Sequence, residues 1–162
     1  MFSHLRTALP GLLIAAPFSV FAAPRSPLPT RPIPTLDAAR GIVSAAEAKA
    51  AAEHWPCVVA VVDNDGLPIV IERMDDAAVP GGVYLTPGKA RTAALFRRPS
   101  SALEDAINGH RPAAATARGF VMMAGGLPIT VNQQIVGAIG VSADTPDHDV
   151  VIAKAGLSAL EK

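Results

Sequence analysis

The chain has 162 residues, half of them hydrophobic and 17% charged, with 14 basic and 14 acidic side chains that cancel to zero formal charge. That neutrality, without a polybasic tract, argues against nucleic acid or an anionic membrane surface as the principal partner. One cysteine, Cys57, leaves no intramolecular disulfide to form, and His4, His54, His110 and His148 are too scattered for a preformed zinc site.

Residues 1–22 carry Arg6 as their only charge, run through ALPGLLIAAPFSVFA and close on Val20-Phe21-Ala22. This pattern predicts a secretory signal peptide cut after Ala22, and hence a periplasmic or secreted protein. Pro10 and Pro17 interrupt the apolar run, which is shorter than the ~20 residues a spanning helix needs, so no membrane insertion is expected after cleavage. The remainder suffices for one compact domain and is too short for two. Residues 23–34, APRSPLPTRPIP, hold five prolines in twelve positions and predict an extended spacer, with the domain occupying 35–162.

Thr35 is placed to cap an Ala-rich helix running to about His54, with Leu36, Ala39, Ile42, Val43 and Ala46 on one face. Cys57 to Asp63 is an unbroken Val-rich run without a polar face, which predicts a central strand and an inert, buried thiol. Asn64-Asp65-Gly66 then turns the chain into a second strand, Leu67 to Met74. After a loop containing Pro80-Gly81-Gly82, a helix is expected from Thr86-Pro87 to Phe96, ended by Pro99. Ser101 with Glu104 reads as a capping box on a short helix ending near Asn108-Gly109.

A third strand is expected at Gly119 to Met123, then a hairpin of Leu127 to Val131 and Ile135 to Ser142. Gly125 and Gly126 between them leave no side chain over the backbone, making a candidate wall for a flat ligand. Thr145-Pro146 opens a last helix reaching about Leu160. Strands grouped in antiparallel hairpins and split by helices define an α+β domain.

Taken in order, VAVVDNDG, ERMDDA, KARTAALFRRPSSALE, AGGLPITVNQQIVGAIGVS and a final D-x-x-x-A-x-A-G resemble the GlcG/HbpS-like haem-binding family, itself related to the C-terminal corrinoid domain of PduO proteins. The match runs from about Val58 to Leu160. The resemblance implies a profilin-like sheet of five antiparallel strands flanked by helices, assembled as a homo-oligomer. It also implies an exported haem (tetrapyrrole)-binding protein in haem or iron handling or extracellular redox sensing. Two positions depart from the family pattern: Pro87-Gly88, expected to shorten its helix, and Ala143, where a glycine is usual.

Haem requires an apolar slot, partners for its propionates and usually an axial donor. Phe96, Phe120, Met122 and Met123 are candidates for the slot. Lys89, Arg91, Arg97 and Arg98 are candidates for the carboxylates, paired two turns apart as Lys89 with Arg97 or Arg91 with Arg98. His110 is the candidate iron ligand, with Tyr84 as runner-up, while His54 reads as a structural residue placed against the dipole at a helix C-terminus and His148 as exposed. The predicted binding set is therefore Lys89, Arg91, Phe96, His110, Met122, Gly125 and Gly126. Two other classes stay open. One is an enzyme acting on a small carbonyl or hydroxy acid through Ser142 and Asp144, with Glu72 or Lys89 across from them. The other is a ligand-free oligomeric partner of a membrane sensor. A wide slot favours binding, whereas a small polar cavity holding Ser142 and Lys89 favours catalysis.

Overall fold

The computed structural model describes residues 30–161, so the expected leader and residues 23–29 of the spacer lie outside the described residues. Four helices, α1 (Leu36–Glu53), α2 (Gly82–Phe96), α3 (Ser101–Asn108) and α4 (Pro146–Leu157), surround four strands, β1 (Val58–Asp63), β2 (Pro68–Arg73), β3 (Gly126–Val131) and β4 (Gln134–Ser142). Short 3-10 turns follow at Pro112–Thr116 and Ser158–Glu161. Every strand pair is antiparallel, in the order β2-β1-β4-β3. No helix among the described residues is long and apolar enough to cross a membrane.

The covering of the sheet explains the Val run. Along β1, Val59 and Val61 pack with Ile42, Val43 and Ala46 of α1 and Ile152 of α4, while Val62 packs with Ala90, Ala93 and Ala94 of α2. A strand whose alternate side chains point to opposite, equally dry faces needs no polar positions. α1 starts as expected: the Thr35 hydroxyl accepts from the Ala38 amide at 3.2 Å, and His54 closes it in the left-handed conformation, φ 59°.

Three local readings are corrected. α2 begins at Gly82, not Thr86, so Pro87 lies inside the helix rather than starting it, and Pro87-Gly88 does not shorten it. Pro87 has no N–H, so the helix runs through it with one backbone bond missing. The early start has a steric reason: a Cβ on Gly82 would stand 3.0 Å from Val58 Cγ2 and 3.1 Å from Ser142 Cβ, so the helix meets the sheet where only glycine fits comfortably.

The segment Gly119–Met123 joins no ladder, leaving four strands rather than five. It is tied instead to α2, because Thr92 Oγ1 accepts from the Val121 amide at 3.1 Å while its own proton lies between the carbonyls of Gly88 (2.8 Å) and Val121 (3.0 Å). The capping box does not form either. Ser100 stands at the N-cap of α3 without capping it, and Glu104 Oε2 accepts from the Ala124 amide at 2.8 Å, so α3 holds the glycine turn rather than its own first turn.

Candidate functional site

The four residues before β3 are pinned from below. Ser100 Oγ donates to the Met123 carbonyl at 2.6 Å and accepts from the Gly126 amide at 2.8 Å. Gly126 then packs against α2: an added Cβ there would fall onto the Lys89 carbonyl and 2.8 Å from Ser100 Oγ. Gly125 adopts φ +108°, and its missing side chain leaves room for the Val141 carbonyl and Asp149. The glycine pair thus lets α2, β4 and α4 close on one point, and the space above it is taken by protein.

At that point lies an ion pair. Lys89, 3% exposed, donates from Nζ to Asp149 Oδ2 at 2.7 Å and to the Val141 carbonyl at 3.1 Å. Asp149 sits in the first turn of α4, where the Thr145 hydroxyl accepts from the His148 amide, and its Oδ1 accepts from the Ala143 amide at 2.5 Å. Burial pushes the Asp149 carboxyl above its ordinary range, against the pull of the Ala143 amide and Lys89. Removing two charges from water is costly, and the pairing together with the added bonds to the Val141 carbonyl and the Ala143 amide makes the pair tolerable.

Beside the pair is a cavity of about 110 Å³, bounded by Val79, Leu85, Met123 and Ala124 on its apolar side and by Ser142, Lys89 and Asp149 on its polar side. Asp144, Thr145 and Pro146 line it too and are exposed, so it communicates with solvent. Ser142 is 3% exposed and its Oγ has no hydrogen-bond partner among the described residues. Asp144 receives the ring of His148 at 2.7 Å, which holds its carboxyl below the usual range. His148 is not the exposed residue expected: it stacks on Trp55, ring centroids 3.5 Å apart and planes 9° from parallel, locking α4 to the start of β1.

The other predicted residues are placed as follows. Arg91 reaches away from the cavity, donating from Nε to the Gly66 carbonyl at 3.2 Å and from Nη1 to that of Gly119 at 3.4 Å. Phe96 meets Phe120 edge to face at 5.0 Å. Met122 is half-buried, and Met123 is 42% exposed at the cavity mouth. His110 is exposed in the turn after α3. Arg97 and Arg98 are exposed, Arg97 closing α2 at φ 56°. Tyr84 is 84% exposed. Glu72 is exposed on the edge strand β2, opposite Val59, and does not line the cavity.

The structure therefore brings Lys89, Gly125, Gly126 and Ser142 together, and separately Arg91 with the Gly66 and Gly119 turns and Phe96 with Phe120. Asp149 is the site residue that sequence reasoning passed over. It opens the D-x-x-x-A-x-A-G motif, but an acid in a helix's first turn is ordinarily a surface complement to the helix dipole.

An α+β domain of this topology, four antiparallel strands covered by helices, has known relatives. Residues 35–158 match the family model described as haem degrading protein HbpS-like, and the chain belongs to that family. Protein GlcG of Escherichia coli K12 is 39% identical over 113 residues, 70% of this chain and 84% of GlcG. The crystal structure of a double mutant of Streptomyces reticuli HbpS is 31% identical, with a TM-score of 0.76 over 91% of this chain and 98% of that one. The crystal structure of a PduOC haem complex is 25% identical, with a TM-score of 0.70 over 78% of this chain and 94% of that one.

Proposed function

We propose that this protein is an exported haem-binding protein that works as a homo-oligomer in haem or iron handling, with extracellular redox sensing as the narrower use of the same binding. The observation that carries the reading is the likeness to the PduOC haem complex, added to membership of the HbpS-like family.

Among the described residues, the cavities nearest the site do not suit the group. The cavity beside Lys89 is about 110 Å³, well under the ~300 Å³ at which pockets for large ligands begin. A cavity of about 510 Å³ is lined by Pro128, Thr130, Val131, Asn132, Leu157 and Leu160, none of them an axial donor. One of about 250 Å³ beside Pro32, Ile33 and Ile129 has none either. Haem would therefore lie on the outer surface, where His110, Tyr84 and Met123 expose donor atoms, and a second copy would cover it.

The test is a haemin titration of the chain from Ala23, followed at the Soret band, with serum albumin as the nonspecific control. A saturating shift at a fixed ratio of haem to subunits supports the reading, and linear, unsaturated uptake overturns it. His110→Ala and Tyr84→Phe assign the iron donor, since loss of the bound spectrum in one of them identifies it.

A further inference from the structure

We propose that the cavity between α2, the end of β4 and the start of α4 is a binding site for a small neutral carbonyl compound, whose oxygen is received by the Ser142 hydroxyl and the remaining N–H of Lys89. This site does not depend on the haem reading, because it is a different place with a different capacity.

Size sets the ligand first. A cavity of about 110 Å³ has room for a few waters or for a molecule of a few non-hydrogen atoms, not for a macrocycle. Donors set its chemistry. An ammonium has three N–H groups, and Lys89 spends two of them, on Asp149 and on the Val141 carbonyl. Ser142 Oγ, buried and unpartnered, lines the same cavity. A buried hydroxyl without a partner is costly, and a ligand acceptor would remove that cost. The spare N–H of the Lys89 ammonium can only donate and the Ser142 hydroxyl can donate beside it, a pair that suits an acceptor such as a carbonyl oxygen.

Charge then separates carbonyls from acids. The lysine charge is already balanced by Asp149, and Asp144 adds a second carboxylate at the rim, paired with His148. An anionic ligand would face two carboxylates with no free cation beside them, so of the small carbonyl and hydroxy acid that the sequence left open, the neutral carbonyl is favoured. Val79, Leu85, Met123 and Ala124 supply apolar contact for a short alkyl group.

The experiment compares acetone, acetamide and acetate, which share one shape and differ in charge, by amide chemical-shift titration of the folded chain from Ala23. Acetone and acetamide should saturate at concentrations on the order of millimolar and move the amides of Ala124 and Ala143, with acetate binding at least several-fold more weakly. Ser142→Ala should weaken the neutral probes by roughly 2- to 12-fold, the worth of one hydrogen bond, with the melting temperature unchanged or higher because an unpartnered hydroxyl has been removed. Three results would overturn the proposal: equal binding by Ser142→Ala, tighter binding of acetate, or a destabilised Ser142→Ala, which would mean the hydroxyl serves a structural water.

Discussion

Asp149→Ala tests how the fold is held at its centre. The substitution strands the Lys89 ammonium, 3% exposed, with the Val141 carbonyl as its remaining partner, and orphans the Ala143 amide. Breaking a buried pair by removing one partner costs about 3–5 kcal/mol. The orphaned amide adds roughly 1–3 kcal/mol. Against a total stability of about 5–15 kcal/mol, the expected loss of some 4–8 kcal/mol leaves a marginal domain. Urea unfolding followed by circular dichroism measures it. Asp149→Asn, which keeps an acceptor for the Ala143 amide, should lose less, and Lys89→Met added to it should restore part of the difference. A loss below about 1 kcal/mol in Asp149→Ala would refute the reasoning, since the pair would then be neither buried nor dependent on its carboxylate.

Gly126→Val should destabilise by at least about 2 kcal/mol in the same assay, because its side chain enters the Lys89 backbone rather than open space; a stable variant would mean the space over the glycine turn is open to ligand. Burial pushes the Cys57 thiol up to about 12 from 9.0. The folded state therefore holds that proton more tightly than the unfolded one. The contribution is complete below pH 9 and declines by about 1.4 kcal/mol per unit as pH rises toward 12. Comparing Cys57→Ala with the parent across that window should show the parent's steeper fall, and parallel curves would refute the assignment. At pH 8 an aromatic disulfide reagent should modify native Cys57 no faster than the protein unfolds. Expression of the whole chain in a Gram-negative host should give periplasmic protein whose N-terminus is Ala23; an intact N-terminus in the cytoplasm would remove export from the account.

Elements whose signal is local were legible in the sequence. The Thr35 cap, the unbroken β1 run, the Asn64-Asp65-Gly66 turn and the Thr145-Pro146 helix start each carry their cause within a few residues. Elements set by distant contacts were not. Val121 and its neighbours look like a strand because they are apolar, yet they bond to a threonine 29 positions back on α2. Gly81-Gly82 looks like a loop, yet Gly82 opens α2 at a point where a side chain would press on Val58 and Ser142. Ser101 and Glu104 have the spacing of a capping box, but Glu104 bonds to Ala124, and the neighbouring Ser100 bonds to Met123 and Gly126. At the site, Lys89 and Ser142 were recognised by type, whereas the partner that neutralises Lys89 lies 60 residues further on, where spacing gives no sign of it.

Sedimentation velocity of the haemin-loaded protein, recorded at the Soret band and at the protein absorbance together, tests the central claim most directly. The account predicts one boundary of a mass greater than a single subunit, carrying haem in a fixed ratio to subunits at both wavelengths. Soret absorbance that stays with free haemin, or that spreads without a fixed ratio over a monomer boundary, would contradict it.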